Sequence, residues 1–172
     1  KILEIESFRE QAPVRTDTNV IWDLGTHDIS ILVYLLKNQP YSIKTIHKRN
    51  IKRNVSDSVY INLKYKNNLN VLIKNSWISP TKIRLLKIKF QKAILYSDEN
   101  ESLYKIKIYK KSSKKDWTLY NLEIPEIDLT EPLSKMTSYV SKSIKENNNY
   151  LFENNFNAKV TSLLEKININ NA

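Results

Sequence analysis

The sequence predicts an α+β domain in which helices pack on one face of an open, mixed but largely antiparallel β-sheet. The period of the apolar pattern is near four from Trp22 to Leu36, two across most of 41–124, and near four again after Pro125. Asparagine-rich or acidic turns separate the short alternating runs, as antiparallel hairpins require. At 172 residues the chain suffices for one core that buries about two-thirds of its unfolded surface. Residues 1–172 are therefore read as a single domain.

The first element expected is a strand over Ile2–Phe8, followed by a loop with Pro13, Arg15 and Asp17, where Thr18 or Asn19 caps what comes next. A helix follows from Trp22 to Leu36, with Leu24, Ile31, Leu32 and Leu35 at helical spacing and Pro40 closing it off. Strands are expected near 41–49, 56–66, 69–79, 82–90, 92–97, 103–111 and 116–124. Asn67-Asn68 reads as a two-residue hairpin turn, and the block Lys110, Lys111, Lys114, Lys115 as a hairpin tip. Pro132 opens a helix with Leu133, Met136, Val140 and Ile144 on one face. After a break at Asn147–Asn149, a last helix from about Asn154 to Ile167 carries Phe156, Val160, Leu163, Leu164 and Ile167.

Composition removes several classes of function. With no cysteine there is no disulfide framework, thiolate metal site or cysteine nucleophile. Glycine occurs once, at Gly25, where roughly a dozen would be usual. Neither a P-loop nor a G-x-G-x-x-G turn can be built from one glycine. The longest apolar run, Ile29 to Leu36, is far short of a bilayer span, so no membrane partner is expected and a cytoplasmic location is inferred. The net charge of +10 invites a nucleic-acid reading. The lysines alternate along strands, as in Lys87-Ile88-Lys89-Phe90, which describes solvated strand faces better than a nucleic-acid footprint. Lys1 leads directly into apolar residues, and the chain reads as cut from a longer one.

Two histidines are available for chemistry. His47, on a strand between Ile46 and Lys48, is read as a surface residue. Asp23 and His27 are four apart on a helix and share a face, so a carboxylate and an imidazole can orient a substrate hydroxyl and accept its proton. On spacing alone the pair better describes a helical turn in which Asp23 meets the dipole and His27 only packs. No third ligand accompanies the pair, and no metal centre is expected.

The words around the pair add a resemblance. Arg15-Thr16-Asp17-Thr18-Asn19-Val20-Ile21-Trp22-Asp23-Leu24-Gly25-Thr26-His27-Asp28-Ile29-Ser30-Ile31-Leu32 resembles the glucose-fructose oxidoreductase, inositol dehydrogenase and MocA family, in the domain after its dinucleotide-binding half. Ser76-Trp77-Ile78-Ser79-Pro80-Thr81-Lys82-Ile83-Arg84 is similar to the strand-end sequence of members acting on sugars and nucleotide sugars, and Glu131-Pro132-Leu133 fits the same pattern. The resemblance implies that Asp23 and His27 are the catalytic pair that positions and deprotonates a sugar hydroxyl as hydride leaves for NAD or NADP. It implies substrate contacts from Arg15, Asp17, Trp77, Lys82 and Arg84, for which a packed aromatic (Trp77) and a solvated edge (Lys82, Arg84) are the alternatives. The cofactor would be bound mainly by an N-terminal Rossmann domain absent from this chain, leaving the isolated chain inactive. A sugar or nucleotide sugar is the implied substrate. Members pair through the exposed face of the sheet, so a homo-oligomer is expected, with Tyr60, Tyr65, Trp77, Tyr104, Tyr109 and Trp117 as aromatic surface. The reading from another class is a basic binding or scaffold module without catalysis.

Overall fold

The computed structural model describes residues 1–51, 55–112, 120–128, 130–146 and 154–169. Strand β1 (Ile2–Glu10) continues the expected strand by two residues. A single π-type turn, Ile21–Gly25, leads without a break into α1 (Thr26–Leu36), and the strands that follow are β2 (Ser42–Lys48), β3 (Ser58–Tyr65), β4 (Leu69–Ser76), β5 (Ile83–Phe90), β6 (Ala93–Asp98), β7 (Ile106–Lys111) and β8 (Tyr120–Glu123). Helices α2 (Pro132–Lys145) and α3 (Asn154–Ile169) complete the order. The expected break at Asn147–Asn149, Trp117, and Lys114 and Lys115 lie outside the described residues.

The eight strands of the described residues form one sheet in the order β2-β3-β4-β1-β5-β6-β7-β8. Every neighbouring pair is antiparallel except β1 and β4, which run parallel with Ile5 opposite Val71. The sheet is thus open, mixed and largely antiparallel, as the alternation predicts.

One face of the β2-β3-β4-β1 half carries the core. Ile5, Val59, Ile61, Leu63, Val71 and Ile73 point to one side, where Ile29 and Leu32 of α1 and Val160, Leu163, Leu164 and Ile167 of α3 cover them. Each fully buried aliphatic side chain here contributes roughly 1.5–3 kcal/mol. The buried face is the expected one only in part: Leu24 and Leu32 are inside, joined by Ile29 and Val33, while Ile31 is half-buried and Leu35 is 41% exposed. The wide turn at Ile21–Gly25 shifts the helical phase just before these residues.

With one glycine available, left-handed backbone falls to Lys37, which closes α1, and to Asn67 and Asn68. Asparagine tolerates that region through its short side chain. Because Tyr65 pairs with Leu69, the β3–β4 loop has three residues, Lys66–Asn68, rather than the two expected. Gly25 itself has ordinary helical backbone. Its missing side chain serves proximity instead, since a Cβ there would lie 3.1 Å from Asn75 Oδ1.

On the opposite face, β1 glutamates meet lysines from both neighbours: Glu6 with Lys87 at 2.7 Å, Glu10 with Lys74 at 2.6 Å, and Glu4 with Lys89 at 3.9 Å. Such partly exposed pairs contribute about 0.2–1 kcal/mol each, and they give three of the strand lysines a structural partner. The same face carries Tyr60, Tyr96 and Tyr109. Tyr65 and Trp77 do not join it: they are 4% and 1% exposed and belong to the core. Pro132 is the first residue of α2, as expected, while Leu133, Met136 and Ile144 of that helix are more than half exposed. Among the described residues no helix is long and apolar enough to cross a membrane.

Candidate active site

Strands β1, β2 and β4 run in one sense, and β3 and β5 in the other, so one rim of the sheet collects the ends of all of them. Along it stand His47 at the end of β2, Asp57 before β3, Trp77 after β4, Gln11 after β1, Lys82 before β5 and Glu99 after β6. Carboxyl ends of parallel strands are where open sheets bind ligands.

The π-type turn brings Asp23 onto this rim. Asn19 accepts from the backbone N–H groups of Ile21 and Trp22 through Oδ1, at 3.1 Å each, and so caps the turn. The Asp23 carboxylate then accepts the indole N–H of Trp77 at 2.8 Å and the Arg15 guanidinium at 3.2 Å. Arg15 also grips Asp17, at 2.6 and 3.0 Å, and this hydrogen-bonded pairing holds the Asp17 carboxyl below its usual value. Four of the expected site residues, Arg15, Asp17, Asp23 and Trp77, therefore form one connected cluster. Trp77 is a packed core aromatic whose ring is buried while its N–H reaches the rim.

His27 sits in the first turn of α1, exposed, with no hydrogen bond or ion pair among the described residues. Asp23 is committed to Trp77 and Arg15, so the imidazole is free to meet a ligand. Beneath it lies a buried polar network that sequence reasoning missed. Asp28, 2% exposed, accepts from Ser7 Oγ at 2.8 Å, Asn75 Nδ2 at 2.6 Å and Arg9 Nε at 3.4 Å. Burial works to raise the Asp28 carboxyl above its ordinary value, against the pull of Arg9, Asn75 and Ser7. Arg9 passes on to Glu99 through two bonds of 2.7 and 3.1 Å. Burial opposes the Glu99 charge, but Arg9, Arg84 and His27 outweigh it and hold that carboxyl below its usual value.

Arg84 joins this second cluster, with Nη2 donating to Gln11 Oε1 at 3.1 Å and Nη1 3.6 Å from Glu99. Its charge is therefore shared with Glu99, while its buried Nε has no partner among the described residues. Lys82 is exposed on the rim beside it and has no ion pair among the described residues.

His47 is not the surface residue expected. It faces inward opposite Val59, its Nδ1 is 2.9 Å from Ser56 Oγ, and its buried Nε2 has no partner. Burial first, and the Arg49 charge second, push its pKa down. Among the described residues no group of three histidine, aspartate or glutamate side chains is arranged to hold a metal ion.

The fold is a helix-covered, open mixed sheet with the Asp23 carboxylate on the rim where its parallel pair, β1 and β4, ends. Residues 6–95 match the GFO/IDH/MocA C-terminal domain, and the chain belongs to that family. No curated protein matches it. Among solved structures it is similar to UDP-N-acetylglucosamine 3-dehydrogenase from Acidithiobacillus ferrooxidans (TM-score 0.82, 15% identity, 99% of this chain and 54% of that one). It is also similar to aldose-aldose oxidoreductase from Caulobacter crescentus complexed with glycerol (TM-score 0.75, 10% identity, 97% and 52%). A third is a levoglucosan dehydrogenase in complex with NADH and L-sorbose (TM-score 0.69, 11% identity, 99% and 57%). At these identities the likeness is one of fold. The chain spans about half the length of each of these structures.

Proposed function

We propose that this chain is the substrate-binding half of an NAD- or NADP-dependent dehydrogenase acting on a hydroxyl of a sugar, nucleotide sugar or polyol. The observation that carries the reading is the Asp23 carboxylate fixed on the rim at the carboxyl ends of the parallel strands β1 and β4, four residues before the exposed His27, in a chain of this family. The chain's single glycine is buried, with Asn75 close against it, and offers no open backbone cradle for a pyrophosphate. The dinucleotide does not fit these residues, and the reading assigns it to a part of the protein outside this sequence. The residues here have the other tasks. His27 takes the hydroxyl proton at its free ring nitrogen, while Asp23, held by Trp77 and Arg15, accepts a hydrogen bond from a neighbouring hydroxyl and fixes the sugar's orientation. In the full-length protein, NAD(P)-linked absorbance is expected to change with at least one member of a panel of sugars and nucleotide sugars. No turnover across the panel with either cofactor would count against the reading.

Pairing of two copies through the outer sheet face belongs to the same proposal. Tyr96, Tyr109 and Tyr120 stand edge to face there, with ring centroids 5.5 and 6.3 Å apart, beside a cleft of about 440 Å³ that Leu85 and Ile94 also line. Light scattering on the full-length protein is expected to give a dimer or a higher even-numbered oligomer. Tyr109→Glu is expected to shift it toward monomer, and a clean monomer before substitution would refute the pairing.

A further inference from the structure

A second polar cleft, of about 390 Å³, opens on the same rim beyond Asp17 and carries features that the acid/base chemistry leaves unexplained. His47, Arg49, Ser56, Thr16, Thr18 and Asn168 line it. His47 Nε2 is buried there without a partner, although its Nδ1 is engaged by Ser56. A buried polar ring atom left unpaired is costly and calls for a partner. Arg49 is exposed, and among the described residues no carboxylate lies within salt-bridge distance of it.

The loop that bears Arg49 is held in place. Asp57, 1% exposed, accepts the backbone N–H groups of Asn50 and Ile51 at 2.7 and 2.8 Å and the Asn50 side-chain amide at 2.9 Å. The Asp57 N–H in turn donates to Lys48 O at 3.1 Å. Arg49 is thus anchored from the following residue and fixed beside the imidazole, without a counter-charge of its own. The acidic residue at the cleft, Asp17, is occupied by Arg15. Sequence charge agrees: from Ile29 to Ser56 there are six lysines and arginines and no acidic residue. A guanidinium, an imidazole N–H, hydroxyls and a side-chain amide are the donor set that binds phosphate oxygens.

We infer that this cleft takes the phosphate groups of a phosphorylated sugar whose ring lies at Asp23 and His27. The inference rests on the dehydrogenase reading and narrows it, from sugars in general to those carrying a phosphate or diphosphate. The arrangement suits a single ligand, because β2 and β4 are two strand spacings apart, about 10 Å, and the bonds from Asp17 to Arg15 to Asp23 make the two regions continuous. Arg84, the other arginine on the rim, is already tied to Glu99 and Gln11 and does not compete for this role.

The test is calorimetric titration of the full-length protein with inorganic phosphate, pyrophosphate, UDP and an unphosphorylated N-acetylhexosamine at low salt. Pyrophosphate and UDP are expected to bind more tightly than phosphate. Arg49→Gln and His47→Gln are each expected to weaken both at least tenfold, while Lys44→Gln, the same charge change on the outer face of the sheet, has no effect. Arg49→Gln is also expected to raise KM at least tenfold for a phosphorylated substrate. Unchanged pyrophosphate binding in the Arg49→Gln/His47→Gln double variant would overturn the site. Phosphate binding as tight as UDP would overturn its link to the substrate and leave a free-phosphate site. His27→Ala separates the two readings, because it is expected to keep pyrophosphate binding. If it also kept turnover, the dehydrogenase assignment of His27 would fail while the binding data still decided the cleft.

Discussion

Replacing His27 with alanine in the full-length protein is expected to lower kcat by about 10²-fold or more, with the thermal midpoint unchanged. Both halves of the expectation come from one geometry. The imidazole is exposed and has no hydrogen bond among the described residues, so its removal takes away no packing, and substitutions at such positions change stability by about 0.5 kcal/mol or less. The other histidine of the chain, His47, is bonded to Ser56 at the far side of the Arg15 cluster and cannot substitute for it. Asp23→Asn is a poorer first test, because that carboxylate also secures Trp77 and Arg15, and a loss of rate would mix chemistry with displaced packing. Steady-state kinetics with the best substrate, read beside a melting curve of the same preparation, checks the expectation. Turnover within a few-fold of the parent enzyme would remove His27 from the proton transfer.

Much of the fold could be read in the sequence, because the period of the apolar pattern is a local property. Val59, Ile61, Leu63 and Tyr65 alternate into the core as the pattern says, and Pro132 marks its helix start. The insertion of β1 between β4 and β5 is not a local property: it pairs Ile5 with Val71 and with Ile88, residues far along the chain. Trp77 was legible in principle. It continues the inward series Leu69, Val71, Ile73, and the polar Asn75 interrupts that series only for a reader who cannot see Asp28 waiting for it. His47 follows Ile43 and Thr45 on the inward face of β2 in the same way. Asp28 is the hardest case. A carboxylate within an apolar helix reads as a solvent-facing residue, and its burial depends on partners 19, 21 and 47 positions away. The proposed pair, Asp23 and His27, rests on its spacing and the family resemblance. The polar support beneath it leaves no such local signature.

Removing that support is the second large effect. Asp28→Ala is expected to destabilise the protein by about 3 kcal/mol, the lower part of the range for breaking a buried ion pair. At 2–4 °C per kcal/mol for a domain of this size, the midpoint falls by about 6–12 °C. Opposing contributions set the value. The substitution relieves the cost of burying a carboxylate, and Arg9 keeps its two bonds to Glu99. It also leaves Ser7 Oγ and Asn75 Nδ2 without their acceptor at a site 2% exposed, where water cannot replace it. The orphaned donors outweigh the relief, because three donors converge on Asp28 and only Arg9 has a second partner. The paired change Arg9→Met/Asp28→Leu separates this account from simple loss of packing. With charge and counter-charge both removed, the site is apolar, Glu99 can be solvated through its 42% exposed side chain, and part of the stability is expected to return. Asp28 also ties the first turn of α1 to β1 and β4, immediately beside His27. Turnover at a temperature where Asp28→Ala is still folded should therefore drop as well, since an imbalance of an ångström at the imidazole is enough to slow proton transfer. An Asp28→Ala protein that melts with the parent and turns over at its rate would show that the buried network neither stabilises α1 nor aims His27.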